Sequence, residues 1–346
     1  MESTSTYWKP PFYCLEEVME VWLLNAAHMK AVPGRKTDVS DAQWLQRLHE
    51  FGLLRASFLP KGEIAALRAY LRQRERLVDL AASHIQHMQK ALMQMNVQVH
   101  HVVSDIMGVT GLRILRAIVA GERDPGVLAA NRDRRCRADV ETIQRALTGN
   151  WRAEHLFALE QALALYDACQ EKVTDCDRKI EATLKRIEAQ SAKPVGKLPP
   201  ARSTKRQPNA LDFDVRSALH AVLGVDLTQI HGLGPYLALK LVGECGTDLS
   251  AWPSAKHFTS WLGLAPSNKI SGGKVLSSST RRTSSRAASL LRLAAVTVGR
   301  TDTALGAFFR RLSGRVGTPQ AVTPTAPKKN PPKKNNQHQT IVDAQT

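Results

Sequence analysis

Between residues 64 and 102 the apolar positions keep one unbroken rhythm. Ile64, Leu67, Leu71, Arg74, Val78, Ala81, Ile85, Met88, Leu92, Met95, Val99 and Val102 follow at alternating intervals of three and four, with Arg74 the single polar member. A sustained 3.5-residue period predicts a coiled-coil helix over 63–103. At about 1.5 Å per residue it is about 60 Å long, which predicts a partner helix to cover its stripe. A second seam supplies one over about 156–188: Tyr166, Cys169, Val173, Cys176, Ile180, Leu184 and Ile187. The two helices pack on each other or on a second copy. Upstream, the run Val21-Trp22-Leu23-Leu24 reads as a buried strand, and Ala42, Leu45 and Leu48 as a helix stopping before Gly52.

The polar intervals divide the chain. Pro60-Lys61-Gly62 breaks it before the long helix, and 123–150 reads as polar, with Arg132, Arg134, Arg135 and Arg137 close together. That cluster suits phosphates and a solvated face equally well. Residues 189–209 mix Pro194, Pro199, Pro200 and Pro208 with Lys and Arg and hold no aromatic, which marks a linker and the clearest domain boundary. From Pro319 on there are five prolines, no aromatic and little to bury, so 317–346 is expected to be a disordered tail. The fold class is therefore mixed and mostly α. A small α/β segment (1–58) precedes a helical, coiled-coil region (59–188), the linker (189–209), a small helical C-terminal domain (210–316) and the tail.

Composition narrows the class. The 346 residues suggest about two domains, and a 43% hydrophobic share supports a real core. No run of 18 apolar residues predicts a membrane span, and the start lacks a secretory pattern. The five cysteines, odd in number and without C-x-x-C spacing, read as reduced thiols in a cytoplasmic protein, without zinc. A net charge of +17 favours a polyanionic partner.

Candidate chemistry lies in two places. Asp38 and Asp41 in Gly34-Arg35-Lys36-Thr37-Asp38-Val39-Ser40-Asp41-Ala42 fall one turn apart at the start of a helix, so both carboxylates share a face. Such a pair can hold a hard divalent cation such as Mg²⁺. It can equally cap the helix or favour its positive end. Glu2 is upstream, at a spacing that lets a third carboxylate reach the same strand-end edge. The second place begins at Ile230-His231-Gly232-Leu233-Gly234-Pro235, a turn entering a helix. It fits a helix-hairpin-helix, whose glycines let backbone N–H groups approach a phosphate, and it fits a plain tight turn as well. From Lys269 to Arg315 ten basic residues stand against one acid, Asp302. Lys269, Lys274, Arg281, Arg282 and Arg286 head this run, a density that tracks a phosphate backbone. No histidine is spaced to serve as a base for Ser271, and there is no G-x-S-x-G, so a hydrolase triad is unsupported.

Both places resemble one family. Met1-Glu2-Ser3-Thr4-Ser5-Thr6-Tyr7-Trp8-Lys9-Pro10, Asn25-Ala26 and Val32-Pro33-Gly34 through Ala42 look like the N-terminal domain of transposases of the insertion sequence 110 family. That domain is RuvC-like (RNase H-like) with an Asp-Glu-Asp-Asp metal site. On the resemblance Glu2, Asp38 and Asp41 match the glutamate and the last two aspartates. Gly232-Leu233-Gly234, Leu262-Gly263-Leu264-Ala265-Pro266, Ser271-Gly272-Gly273-Lys274 and Arg282-Thr283-Ser284-Ser285-Arg286 look like its C-terminal transposase domain. There the serine of the Ser-Gly motif joins DNA covalently, and Ser271 matches it; without the resemblance Ser271 reads as a turn serine. The resemblance further implies a Mg²⁺ cofactor, DNA and a structured guide RNA as partners, and homo-oligomers formed through the coiled coil. The family's first aspartate lies on an earlier strand and its last helix beyond Ala326. The expectation is thus of a chain truncated at both ends and impaired in activity. Two other readings stand beside this one: a RuvC-like, metal-dependent junction nuclease, and a non-catalytic nucleic-acid-binding protein.

Overall fold

The computed structural model describes residues 1, 3, 6–25, 38–190, 197–203, 207, 209–266, 268–281 and 283–326; of residues 38–41, 269 and 275 it describes the backbone alone. The chain forms two compact units, Met1–Ala65 and Ala66 onward.

In the first unit, helix α1 (Lys9–Leu15), with Pro10 in its first turn, connects two extended segments and buries Phe12. The Met1 amino group donates to Trp22 O (2.8 Å), Leu24 N donates to Met1 O (2.7 Å) and Ser3 N to Leu24 O (2.8 Å). Alternation of this kind is a parallel ladder, and parallel neighbours need a crossover, here α1. Ser57 N donates to Leu23 O from a third segment (2.7 Å). The apolar run 21–24 is thus paired and buries Leu23 and Leu24, as its pattern predicts, though no regular strand forms there among the described residues. Helix α2 (Asp38–Glu50) buries Leu48, sets His49 edge-on to Trp22 at 5.1 Å, and gives way to Gly52 in the left-handed region.

The second unit is built on two long helices, α3 (Gly62–Gln94) and, later in the chain, α8 (Ala153–Ala189). The seam read from the sequence is the buried face: Leu67, Leu71, Arg74, Ala81, Met88 and Leu92 on α3, Val173, Cys176, Ile180, Leu184 and Ile187 on α8. Arg74 meets Asp177, while Met88 and Leu92 share a cluster with Leu159 and Leu163, so the helices run antiparallel. One expectation needs correction: α3 stops at Gln94 rather than running to 103. Asn96 takes a left-handed φ of 56°, and Val97 N bonds Leu92 O (2.9 Å) while Asn96 N bonds Met93 O (3.0 Å). That is a Schellman ending with asparagine where glycine is usual. The seam outlasts the helix because Met95, Val97 and Val99 remain fully buried in the cap that follows.

The cap holds α4 (Val99–Val102), α5 (Val109–Val119), α6 (Pro125–Ala130) and α7 (Val140–Ala146). Residues 123–150 are therefore not simply polar: Leu128, Ala129, Ile143 and Leu147 are core, and Asp124 and Asp139 cap α6 and α7. Too few apolar residues separate their charges for periodicity to show.

The C-terminal helices are α9 (Val215–Leu223), α10 (Pro235–Cys245), α11 (Ala255–Trp261), α12 (Arg286–Val298), α13 (Ala304–Val316) and α14 (Thr318–Thr325). A hairpin of β1 (Lys269–Ser271) and β2 (Lys274–Ser277) stands between α11 and α12. Arg74 is fully buried where α3, α8, Ala210 and Tyr236 meet. The expected disordered tail begins with α14, whose Ala321, Thr325 and Ala326 are fully buried. Pro319 sits in its first turn, where a missing N–H costs nothing, and alanines rather than large side chains fill the contact. The remainder of that tail, 327–346, lies outside the described residues. Among the described residues, no helix is long and apolar enough to cross a membrane.

Candidate catalytic hairpin and nucleic-acid interface

Ser271 closes β1 and pairs with Lys274 across a two-residue turn. Gly272 and Gly273 have φ of 54° and 75°, so both central positions are left-handed, the geometry that suits a tight hairpin and that side chains resist. Ser271, Lys274 and Arg281 are exposed, and the Ser271 hydroxyl has no hydrogen-bond partner among the described residues. The backbone of Lys269 pairs with Ser277 at a bulge; its side chain, like all of Arg282, lies outside the described residues.

The hairpin stands on a fixed base. Leu262 and Leu264 are fully buried and flank Gly263, whose φ is 71°. A Cβ on Gly263 would meet Thr283 at 2.9 Å, so this glycine answers two demands, a left-handed backbone and a close neighbour. Trp252, Phe258 and Trp261 form an aromatic cluster just before it, with Phe258 stacked on Trp261 and edge-on to Trp252. Pro266 and Thr280 bridge the legs below the hairpin. The motif Leu262-Gly263-Leu264-Ala265-Pro266 therefore anchors the strand that carries Ser271.

The Gly232-Leu233-Gly234 turn joins a 3-10 turn (Leu227–Gln229) to α10. Gly232 is left-handed (φ 86°), Leu233 is buried, and Gly234 is the N-cap of α10 with no side chain capping it. Two side chains flank the turn: the Gln207 amide lies against Gly234, and Arg202 contacts Gln229 O and His231 Nδ1. Sequence reading overlooked the residue that sets this turn. Asp226 accepts from Thr228 N (2.9 Å), Gln229 Nε2 (2.9 Å) and Arg216 Nη2 (2.6 Å). Burial pushes its carboxyl upward, but hydrogen bonds from Arg216, Thr228 and Gln229 outweigh burial and hold it at about 2. The signal was present as Asp-Leu-Thr-Gln, an aspartate heading a short turn.

Arg286 opens α12 and is half-exposed, yet its Nη1 lies 3.1 Å from Glu75 on α3. The basic surface thus reaches the long helix, which sequence spacing did not indicate. Of the arginines at 132–137, Arg132 is a clasp: its Nε and Nη2 donate to Ala138 O and Cys136 O, both at 2.7 Å. Arg134, Arg135 and Arg137 are exposed. Cys169 is half-buried and Cys176 buried in the seam, as expected for packing thiols.

Of the proposed carboxylate site, Glu2 lies outside the described residues, and Asp38 and Asp41 are placed by backbone alone, in the first turn of α2. Among the described residues no group of three His, Cys, Asp or Glu side chains is arranged to hold a metal ion.

A family model described as the transposase IS116/IS110/IS902 family matches residues 226–310, the stretch holding the glycine turn, the hairpin and α12. A second, for the DEDD transposase of IS110 and described as a transposase, matches residues 1–97. No curated protein matches the chain.

Proposed function

We propose, from the premise that this chain belongs to the IS110 family of transposases, that it cuts and rejoins DNA through Ser271. The observation that carries this reading is an exposed serine hydroxyl, unbonded among the described residues, on a Gly-Gly hairpin that pairs Ser271 with the exposed Lys274. In the proposed step Ser271 Oγ attacks a backbone phosphorus. The Oγ–P bond forms as the bond to one deoxyribose oxygen breaks, and that oxygen leaves as a hydroxyl after taking a proton. Rejoining runs the same exchange in reverse with a new hydroxyl. No described histidine contacts Ser271, so the proton is not assigned to an imidazole.

Glu2, Asp38 and Asp41 would hold a divalent cation, Mg²⁺ being the natural choice for an all-carboxylate oxygen set. Bound there, the cation would screen phosphate charge and assist the nucleophile. Asp38 and Asp41, one turn apart at the start of α2, suit that role by backbone placement. Lys269, Lys274, Arg281, Arg282 and Arg286 would track the DNA backbone, and the Gly232–Gly234 turn would seat a phosphate in helix-hairpin-helix fashion. A structured guide RNA would select the DNA, and copies would assemble through the long helices in coiled-coil fashion.

The test is an adduct assay with element-end DNA, guide RNA and Mg²⁺. Wild-type protein is expected to become covalently linked to DNA, and Ser271→Ala to lose the linkage while still binding. Nicking without any adduct would favour the junction nuclease, and binding without cleavage the non-catalytic protein.

A further inference from the structure

Between α3, α10 and α12 lies a cleft of about 260 Å³ in which positive charge exceeds negative. Glu244 is nearly buried and is shared by two arginines of α3: Arg72 grips it with Nε and Nη2 at 2.9 and 2.8 Å, and Arg68 Nε lies 3.0 Å away. Glu75 is likewise shared, by Lys240 of α10 and Arg286 of α12, each at 3.1 Å. Four cations thus meet two carboxylates. Burial lowers the Arg68 guanidinium below its usual value, and the like charge of Arg72 adds to this against the pull of Glu244. An arrangement two charges in excess invites an anion, and the cleft is continuous with the proposed DNA surface because Arg286 belongs to both.

We propose that Glu75 stands in for a DNA phosphate: it holds Lys240 and Arg286 in the free protein, and a backbone phosphate entering the cleft displaces it. The two glutamates differ in a way that fits. Glu244 is locked by a bidentate arginine and is 10% exposed, whereas Glu75 makes one contact to each partner and is 27% exposed. A phosphodiester offers Lys240 and Arg286 what Glu75 offers, with more acceptor oxygens, and a guanidinium fork suits phosphate as well as carboxylate. The long helix thereby joins the DNA interface and sets its strength: Glu75 restrains binding, and Lys240 and Arg286, once released, add to it.

This inference rests on the nucleic-acid reading above. Its test is titration of a labelled random-sequence DNA duplex by fluorescence anisotropy at several salt concentrations, with an RNA hairpin in parallel. Glu75→Gln keeps shape and helix propensity and removes the charge. It is expected to tighten DNA binding about two- to fivefold, the worth of a partly exposed ion pair. Glu160→Gln, at an exposed position on α8, controls for net charge and should do less. In a Lys240→Gln/Arg286→Gln background the gain from Glu75→Gln should vanish. A gain no larger than that of Glu160→Gln, a gain that survives in that background, or a gain confined to RNA overturns the inference while leaving DNA binding intact. A wild-type chain that binds neither probe overturns the nucleic-acid reading itself.

Discussion

Asp226 shows what one residue can fix without touching a substrate. Its carboxylate collects donors from Thr228, Gln229 and Arg216 and so shapes the turn ahead of Gly232-Leu233-Gly234. Its folded-state pKa, about 2, is below the ordinary 3.8. The charged carboxylate therefore adds stability that is complete above about 3.8 and is lost as pH falls from there through about 2. The shift corresponds to about 2 kcal/mol. Acid unfolding should show this loss in wild-type protein, and Asp226→Asn should be less stable at neutral pH and flatter across that window; an unchanged acid profile would remove the assignment. At Ser271 the opposite holds. An exposed hydroxyl contributes little to the fold, so Ser271→Ala should leave the melting temperature unchanged while abolishing the covalent DNA adduct.

Among the elements, the antiparallel pair α3 and α8 carries the most information. Arg74 occupies a seam position where the pattern calls for an apolar residue, and Asp177 meets it from the other helix, with Nη2 3.3 Å from Oδ2 and the guanidinium over the Tyr236 ring at 4.9 Å. Both ions are almost completely buried. Removing one strands the other, so Arg74→Met alone should cost about 3–5 kcal/mol. Arg74→Met with Asp177→Leu should recover most of that loss, since a matched apolar pair replaces the ions without an orphaned charge. Denaturant titration of the two variants checks it, and equal losses would mean that the pair is not the unit. Helix α14 makes a smaller case. Ala321 has no exposure, so Ala321→Leu should overpack the contact and cost about 1–3 kcal/mol, measured by the shift in thermal midpoint.

For the whole molecule the governing quantity is charge. With +17 over 346 residues and ten bases against one acid from 269 to 315, binding should weaken steeply as salt rises. Each lost phosphate contact should lower the slope of log K against log salt by about 0.9. Arg281→Gln with Arg282→Gln is expected to lower it by nearly twice that. Adding Arg286→Gln should change it less, because Arg286 starts from an ion pair with Glu75. Slopes from anisotropy titrations decide this, and an unchanged slope in the triple variant would move the contact surface elsewhere.

Periodicity was enough to place both long helices and their buried faces, because burying a stripe on a helix requires apolar residues at intervals of three and four whatever surrounds it. Short-range chemistry was legible in part: Ser271 read as a turn serine and stands beside the left-handed Gly272-Gly273 turn, although the strands around it went unread, and Pro60-Lys61-Gly62 wrote the start of α3. The end of α3 was not legible. Met95 and Val99 continue the seam, and only the left-handed backbone at Asn96 and the cap beyond it turn the chain aside. Nor were the partners of charged residues, since Glu75 and Arg286, or Arg74 and Asp177, are far apart in sequence and leave no periodic mark. Local pattern records which face must leave water. Which charge meets which across that face is decided only when the helices pack, because an ion pair depends on a few ångströms of tertiary placement and on nothing in its own neighbourhood.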